Sequence, residues 1–147
     1  MREIVIVCLG LGLLWACGEE PDCDLGVPQN NIEIQFYSSE DSTAQFMKFV
    51  GVTERSTDSV FYTSKDSLSN FTLNLNPNTS QLTYVFQTAT AIDTLTISYN
   101  KQLEWLSEEC GPTFFYSELE VLGSSFTYDL TSKFIDVSID ENIKIYN

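Results

Sequence analysis

From Ile32 onward the chain repeatedly alternates apolar and polar residues, the period-two mark of strands with one buried face. Ile32, Ile34 and Phe36 alternate with Glu33, Gln35 and Tyr37. Phe71, Leu73 and Leu75 alternate with Thr72 and Asn74, Asn76-Pro77-Asn78 reads as a turn, and Leu82, Tyr84 and Phe86 resume the alternation. These two runs are expected to form a hairpin with a loop of about six residues. Leu95, Ile97 and Tyr99 alternate with Thr94, Thr96 and Ser98, which predicts a strand ending at the Asn100-Lys101 break. Phe115, Leu119 and Val121 predict a further strand after Gly111-Pro112, and Phe134 to Ile139 and Ile143 to Tyr146 close the chain. Less regular apolar runs at Phe46–Val52 and Val60–Tyr62 add two more, and Leu103 to Leu106 hints at a helical turn or two.

About seven to nine short strands, with frequent turn signals between them, predict an all-β fold: a single antiparallel β-sandwich, immunoglobulin-like or related. No repeat of fixed period and no low-complexity tract argues for a solenoid or propeller. The sandwich domain is expected over residues 25–147.

What precedes it has a different texture. Met1-Arg2 is followed by an apolar run from Ile4 to Trp15, interrupted by Cys8, Gly10 and Gly12. That length suits the h-region of a signal peptide and is too short to cross a bilayer as a helix. The run ends in Leu14-Trp15-Ala16-Cys17, which resembles a bacterial lipobox, with bulky Trp15 as its one departure. The resemblance implies cleavage before Cys17, diacylglycerol on its thiol and an acylated new amino terminus. Residues 1–16 would then be a lipoprotein signal peptide, and residues 17–24 the lipidated cysteine with an acidic tether. Several acyl chains on one residue suffice for stable anchoring. An ordinary signal peptide ending beside an unrelated cysteine, or a buried N-terminal strand, would draw on the same residues.

Charge sharpens this reading. Seven Lys and Arg against 21 Asp and Glu give a net charge of −14 with no His. Removing residues 1–16 takes away one cation, Arg2, and one anion, Glu3, so the balance is unchanged. Sparse cations argue against nucleic acid, whose phosphates need clustered Lys and Arg. Absence of His removes imidazole bases, His-dependent triads and His-ligated zinc. An apolar content of 43% with 13% aromatics excludes a disordered acidic tail. A strongly acidic body is repelled by anionic lipid, which suits a domain held off the membrane by Gly18-Glu19-Glu20-Pro21-Asp22. Acidic residues just after the lipidated cysteine also resemble the signal that sends Bacteroidota lipoproteins to the outer face of the outer membrane. A merely solvated spacer would look the same.

Of four cysteines, Cys8 leaves with the signal peptide and Cys17 carries lipid. Cys23 and Cys110 remain, and in an oxidising compartment they are expected to pair. Closing so long a loop is worth roughly 4–5 kcal/mol in the chain-entropy model. A reactive thiol is the weaker alternative, since Lys101 is the nearest cation upstream of Cys110 and no His exists.

Leu73-Asn74-Leu75-Asn76-Pro77, Asp93-Thr94-Leu95-Thr96-Ile97, Glu109-Cys110-Gly111 and Asn142-Ile143-Lys144-Ile145-Tyr146, behind a lipobox and an early Cys, together resemble a family of small Bacteroidota lipoproteins of unknown function. That resemblance implies an envelope lipoprotein of unassigned role; the location expected for it is the outer membrane, with the periplasmic and the cell-surface face both open. It carries no active site with it, and it strengthens the pairing of Cys23 with Cys110.

Candidate chemistry is thin. Glu118 and Glu120 would share the solvent face of a strand with Leu119 and Val121 inward, whereas glycosidase carboxylates face each other across a cleft. Asp136, Asp140 and Glu141 offer hard oxygen ligands without the spacing of an EF-hand loop, so neither metal nor cofactor is expected. Ser42, Ser59, Ser67 and Thr94 each follow an Asp in triplets that resemble the Bacteroidota O-glycosylation sequon. Asp-Ser and Asp-Thr are also natural turn residues. Tyr99, Trp105 and Tyr116 could form a stacking platform for a ligand, or could simply pack in the core. Three functions follow. The first is a non-enzymatic module docking on an outer-membrane barrel or another envelope protein, the second a glycan- or ligand-binding accessory, and the third, with least support, a hydrolase.

Overall fold

The structure, a computed structural model, describes Cys23 and residues 30–62, 67–136 and 139–147, with Ser59 and Phe61 described in their backbone alone. The expected signal peptide, Cys17 and all of the tether but Cys23 lie outside the described residues. Every element among the described residues is a strand.

Alternating burial builds the first sheet. In β1 (Asn31–Tyr37), Ile32, Ile34 and Phe36 are buried while the residues between them are half-buried. It pairs antiparallel with β6 (Asn70–Asn74) on one side and parallel with β11 (Ile143–Tyr146) on the other, and β10 (Thr127–Leu130) pairs with β11. The order is β10-β11-β1-β6, so this sheet is mixed where a purely antiparallel one was expected. Asn142 holds the parallel join. It is buried, its Oδ1 accepts the Glu33 N–H at 2.9 Å, and its own N–H donates to the Glu33 carbonyl at 2.8 Å. Its Nδ2 donates to the Phe134 carbonyl at 2.8 Å, and its carbonyl accepts the N–H of Thr131 and of Ser132. A buried amide with every group engaged fixes where β11 starts beside β1.

The second sheet is antiparallel throughout, in the order β4-β3-β7-β8-β9. Its strands are β3 (Gly51–Glu54), β4 (Ser59–Tyr62), β7 (Gln81–Gln87), β8 (Ile92–Ser107) and β9 (Gly111–Ser124). Two-residue strands β2 (Met47–Lys48) and β5 (Ser67–Leu68) make a small third sheet. Apolar faces of the two larger sheets meet in one core. At its centre lie Phe36, Phe49, Phe71, Phe86 and Phe126, with Phe86 5.5 Å from Phe126, 5.6 Å from Phe49, 6.1 Å from Phe71 and 6.2 Å from Phe36. Most of these rings meet edge to face or tilted, which their quadrupoles favour.

Several expectations need correction. The runs around Phe71 and Leu82 are strands but not a hairpin: β6 pairs with β1, and β7 with β3 and β8, so residues 75–80 cross between sheets. Two tyrosines clamp the crossing. Tyr84 Oη donates to the Asn74 carbonyl at 2.7 Å, and Tyr99 Oη both accepts the Asn76 N–H and donates to the Asn76 carbonyl. Asn100-Lys101 does not end a strand, and Leu103 to Leu106 is not helical. β8 runs on to Ser107 because β9 supplies a partner all the way, with Leu103 opposite Phe114 and Trp105 opposite Pro112. No strand forms at Phe134 to Ile139 among the described residues; Ile135 is buried, Phe134 is exposed, and residues 137 and 138 lie outside the described set. β9 carries an extra residue opposite Tyr99, where Glu118 takes a positive φ of 54°. This bulge lets both Tyr116 and Leu119 turn inward although three positions apart.

Candidate functional site

The second half of β8 and the first half of β9 run on past the core as a two-stranded arm. Residues directly opposite in an antiparallel pair share a face, so Tyr99, Lys101, Leu103 and Trp105 lie on the same face as Tyr116, Phe114 and Pro112. At the root of the arm this face is core. Tyr99 and Tyr116 are buried with their rings 5.7 Å apart in an edge arrangement, and Phe114 packs half-buried 6.4 Å from Tyr116. Burial pushes the Tyr99 hydroxyl up to about 12, against the pull of its bond to Asn76, and raises Tyr116 as well. Farther out the same face opens to solvent: Leu103 is 60% and Trp105 73% exposed. Lys101 marks the boundary, its Nζ donating to the Pro77 carbonyl at 2.5 Å. Polar Asn100, Gln102 and Glu104 alternate onto the other face, where Asn100 Nδ2 donates to Glu118.

At the tip the chain turns through Glu108-Glu109-Cys110. Cys110 N–H donates to Ser107 Oγ at 3.0 Å, and Gly111 takes a φ of 75°, which a side chain would disfavour. Here Cys23 and Cys110 form a disulfide, with Sγ atoms 2.01 Å and Cα atoms 5.4 Å apart. The start of the folded domain is thereby fastened to the end of the arm.

Beside the root of the arm lies a groove of about 330 Å³, lined by Tyr116, Ser117, Phe134, Ile135, Asp136 and Ile139. Leu119 N–H, freed by the bulge, donates to the Lys133 carbonyl at 3.0 Å and holds the 131–136 loop along the edge of β9. Phe134, 74% exposed, stands at the groove's rim. Its lining offers apolar contact together with the hydroxyl-bearing residues Tyr116 and Ser117 and the carboxylate-bearing Asp136.

Of the aromatic residues singled out as a ligand platform, only Trp105 is open; the structure brings Tyr99 and Tyr116 together beneath the surface. Glu118 and Glu120 are both exposed, with Leu119 buried and Val121 half-buried between strands. Glu141 accepts from Tyr37 Oη at 2.8 Å and pairs with Lys144 at 3.1 Å. Among the described residues, no three of Asp136, Asp140, Glu141 and the other acidic or cysteine side chains gather as metal ligands would.

Ser42 sits exposed in a turn with a φ of 56°. Asp41 Oδ1 accepts from both Oγ1 and N of Thr43, and these bonds hold its carboxyl below the usual carboxylate range. Thr94 is half-buried opposite Val85, with its N–H donating to Ser125 Oγ. Ser67 is exposed at the start of β5; the Ser59 side chain and Cys17 lie outside the description. Leu103 escaped the sequence reading as a site residue because it was read as part of a helical turn. Its signal was the alternation Tyr99, Leu103, Trp105, which resumes after charged Lys101.

These features define a small all-β domain with a disulfide-tipped arm. A family of unknown function, DUF6452, matches residues 47–147, and the chain belongs to that family. Neither a curated protein nor a solved structure matches it.

Proposed function

We propose that this is an outer-membrane lipoprotein of the Bacteroidota, anchored through Cys17 after removal of a signal peptide, whose body is a non-enzymatic module docking on another envelope protein. In this reading the two larger sheets form an immunoglobulin-like or related sandwich. The groove along the edge of β9 carries the docking proposal: it is walled by apolar side chains, and an exposed aromatic ring, Phe134, stands at its rim. Exposed aromatics beside a groove are the usual anchors of a protein contact.

A photo-crosslinking residue in place of Phe134, in tagged lipidated protein expressed in its own host, tests the reading. One near-stoichiometric envelope protein should be captured there and not from Asn78, an exposed position in the crossing between sheets. No capture from position 134 would contradict docking through the groove. Glycan binding has the open Trp105 ring in its favour. Retention of the protein on immobilised envelope glycan, lost in Trp105→Ala, would put that reading first.

A further inference from the structure

The exposed face of the arm is distinct from the groove, and its place is set by the disulfide. The tip holds Cys23, so the chain that leaves the described domain toward the amino terminus departs from the end of the arm. Six residue steps separate Cys23 from Cys17, a reach of at most ~20 Å when fully extended. If Cys17 is acylated, the tip must stay within that distance of the bilayer.

What the tip then presents is apolar on one face. Trp105 and Leu103 are mostly exposed, and Pro112, directly opposite Trp105, is exposed beside them. Tryptophan settles at the boundary between headgroups and acyl chains, where its ring is in apolar surroundings and its N–H stays wet. Glu104 alternates onto the opposite face, and Lys101, the cation on this face, is engaged with Pro77. The outer part of this face, Leu103, Trp105 and Pro112, is therefore uncharged, with the Lys101 ammonium at its inner boundary. Two or three side chains are too few to bind a membrane unaided, but a short tether raises their effective concentration at the surface.

We propose that Leu103, Trp105 and Pro112 seat in the headgroup boundary of the bilayer, so that the arm is a second contact that orients the anchored domain. The proposal rests on the lipoprotein reading. Its ligand is neutral lipid, because Glu104, Glu108 and Glu109 close to the tip oppose approach to anionic headgroups.

The protein carries two tryptophans, Trp15 and Trp105. In a Trp15→Phe background Trp105 is the sole reporter, whatever the processing at Cys17. Lipidated protein reconstituted in phosphatidylcholine vesicles is floated on a density gradient, and its fluorescence is read with brominated acyl chains and separately with iodide. Flotation reports the anchor alone. The expected result is flotation, a blue-shifted emission, its partial loss to brominated lipid, and weaker iodide quenching than in a lipid-free form that lacks residues 1–17. Leu103→Glu should weaken the lipid quenching while flotation persists. Flotation with emission and iodide quenching equal to the lipid-free form would overturn the membrane-seated arm and leave the anchor standing. Failure to float would overturn the anchor, and the proposal with it.

Discussion

β8 passes through two environments within one strand. From Leu95 to Tyr99 its inward residues are buried under the first sheet; from Lys101 to Trp105 the strand continues into solvent, paired with β9. One pattern of residues thus serves both a core and an exposed apolar face. What separates them is whether another sheet lies above, a property of the fold and not of the strand. Stability should accordingly reside in the body, while the arm is held by its hairpin bonds and the Cys23–Cys110 link.

The largest effect should come from the body. Phe86→Ala removes the ring that touches Phe36, Phe49, Phe71 and Phe126, and should cost about 3–5 kcal/mol in urea unfolding. An equal loss on truncating an arm residue would break the distinction. Second comes the link between the regions: the double variant Cys23→Ser, Cys110→Ser should lose about 2–4 kcal/mol, chiefly because its unfolded chain is freer. Asn142→Ala should cost about 1–3 kcal/mol in the same measurement, since it strands the Glu33 N–H and the Phe134 carbonyl beside the parallel join.

Glu54 should give a smaller, pH-dependent effect. Burial pushes its carboxyl up, but bonds from Thr57 and Ser56 outweigh this and hold it below the ordinary value of 4.5. Its stabilisation is therefore fully present above the unfolded-state value and is lost as pH falls through the lower folded-state one. Glu54→Gln should be less stable than the parent at neutral pH, and acid titration of both should show the gap closing below 4.5. Smallest of all, Trp105→Ala should change stability by no more than about 0.5 kcal/mol, its ring being largely solvated. A loss like that of Phe86→Ala would place Trp105 in a core.

Much of this was legible in the residues. β1, β6, β7 and β11 follow from alternation at Ile32–Phe36, Phe71–Leu75, Leu82–Phe86 and Ile143–Ile145, because a half-buried strand writes its own pattern. Pairing was not legible. Nothing local distinguishes a hairpin from a crossing between sheets at Asn76-Pro77-Asn78; Tyr84 and Tyr99, which clamp it, are distant in sequence. The parallel join of β1 and β11 depends on Asn142, a polar residue that read as part of a terminal motif. β10, exposed at three of its four positions, carries too little burial to alternate. At the site, composition predicted the Cys23–Cys110 pair, while the openness of Leu103 and the burial of Tyr99 depend on how far the opposite sheet extends.

Amide hydrogen exchange by mass spectrometry, with the disulfide intact and reduced, tests the division of the molecule most directly. Reduction should speed exchange in residues 101–107 and 111–117 and leave Leu82–Phe86 and Leu95–Tyr99 as protected as before. Equal acceleration in both halves of β8, or none in either, would contradict a body and an arm of separate stability.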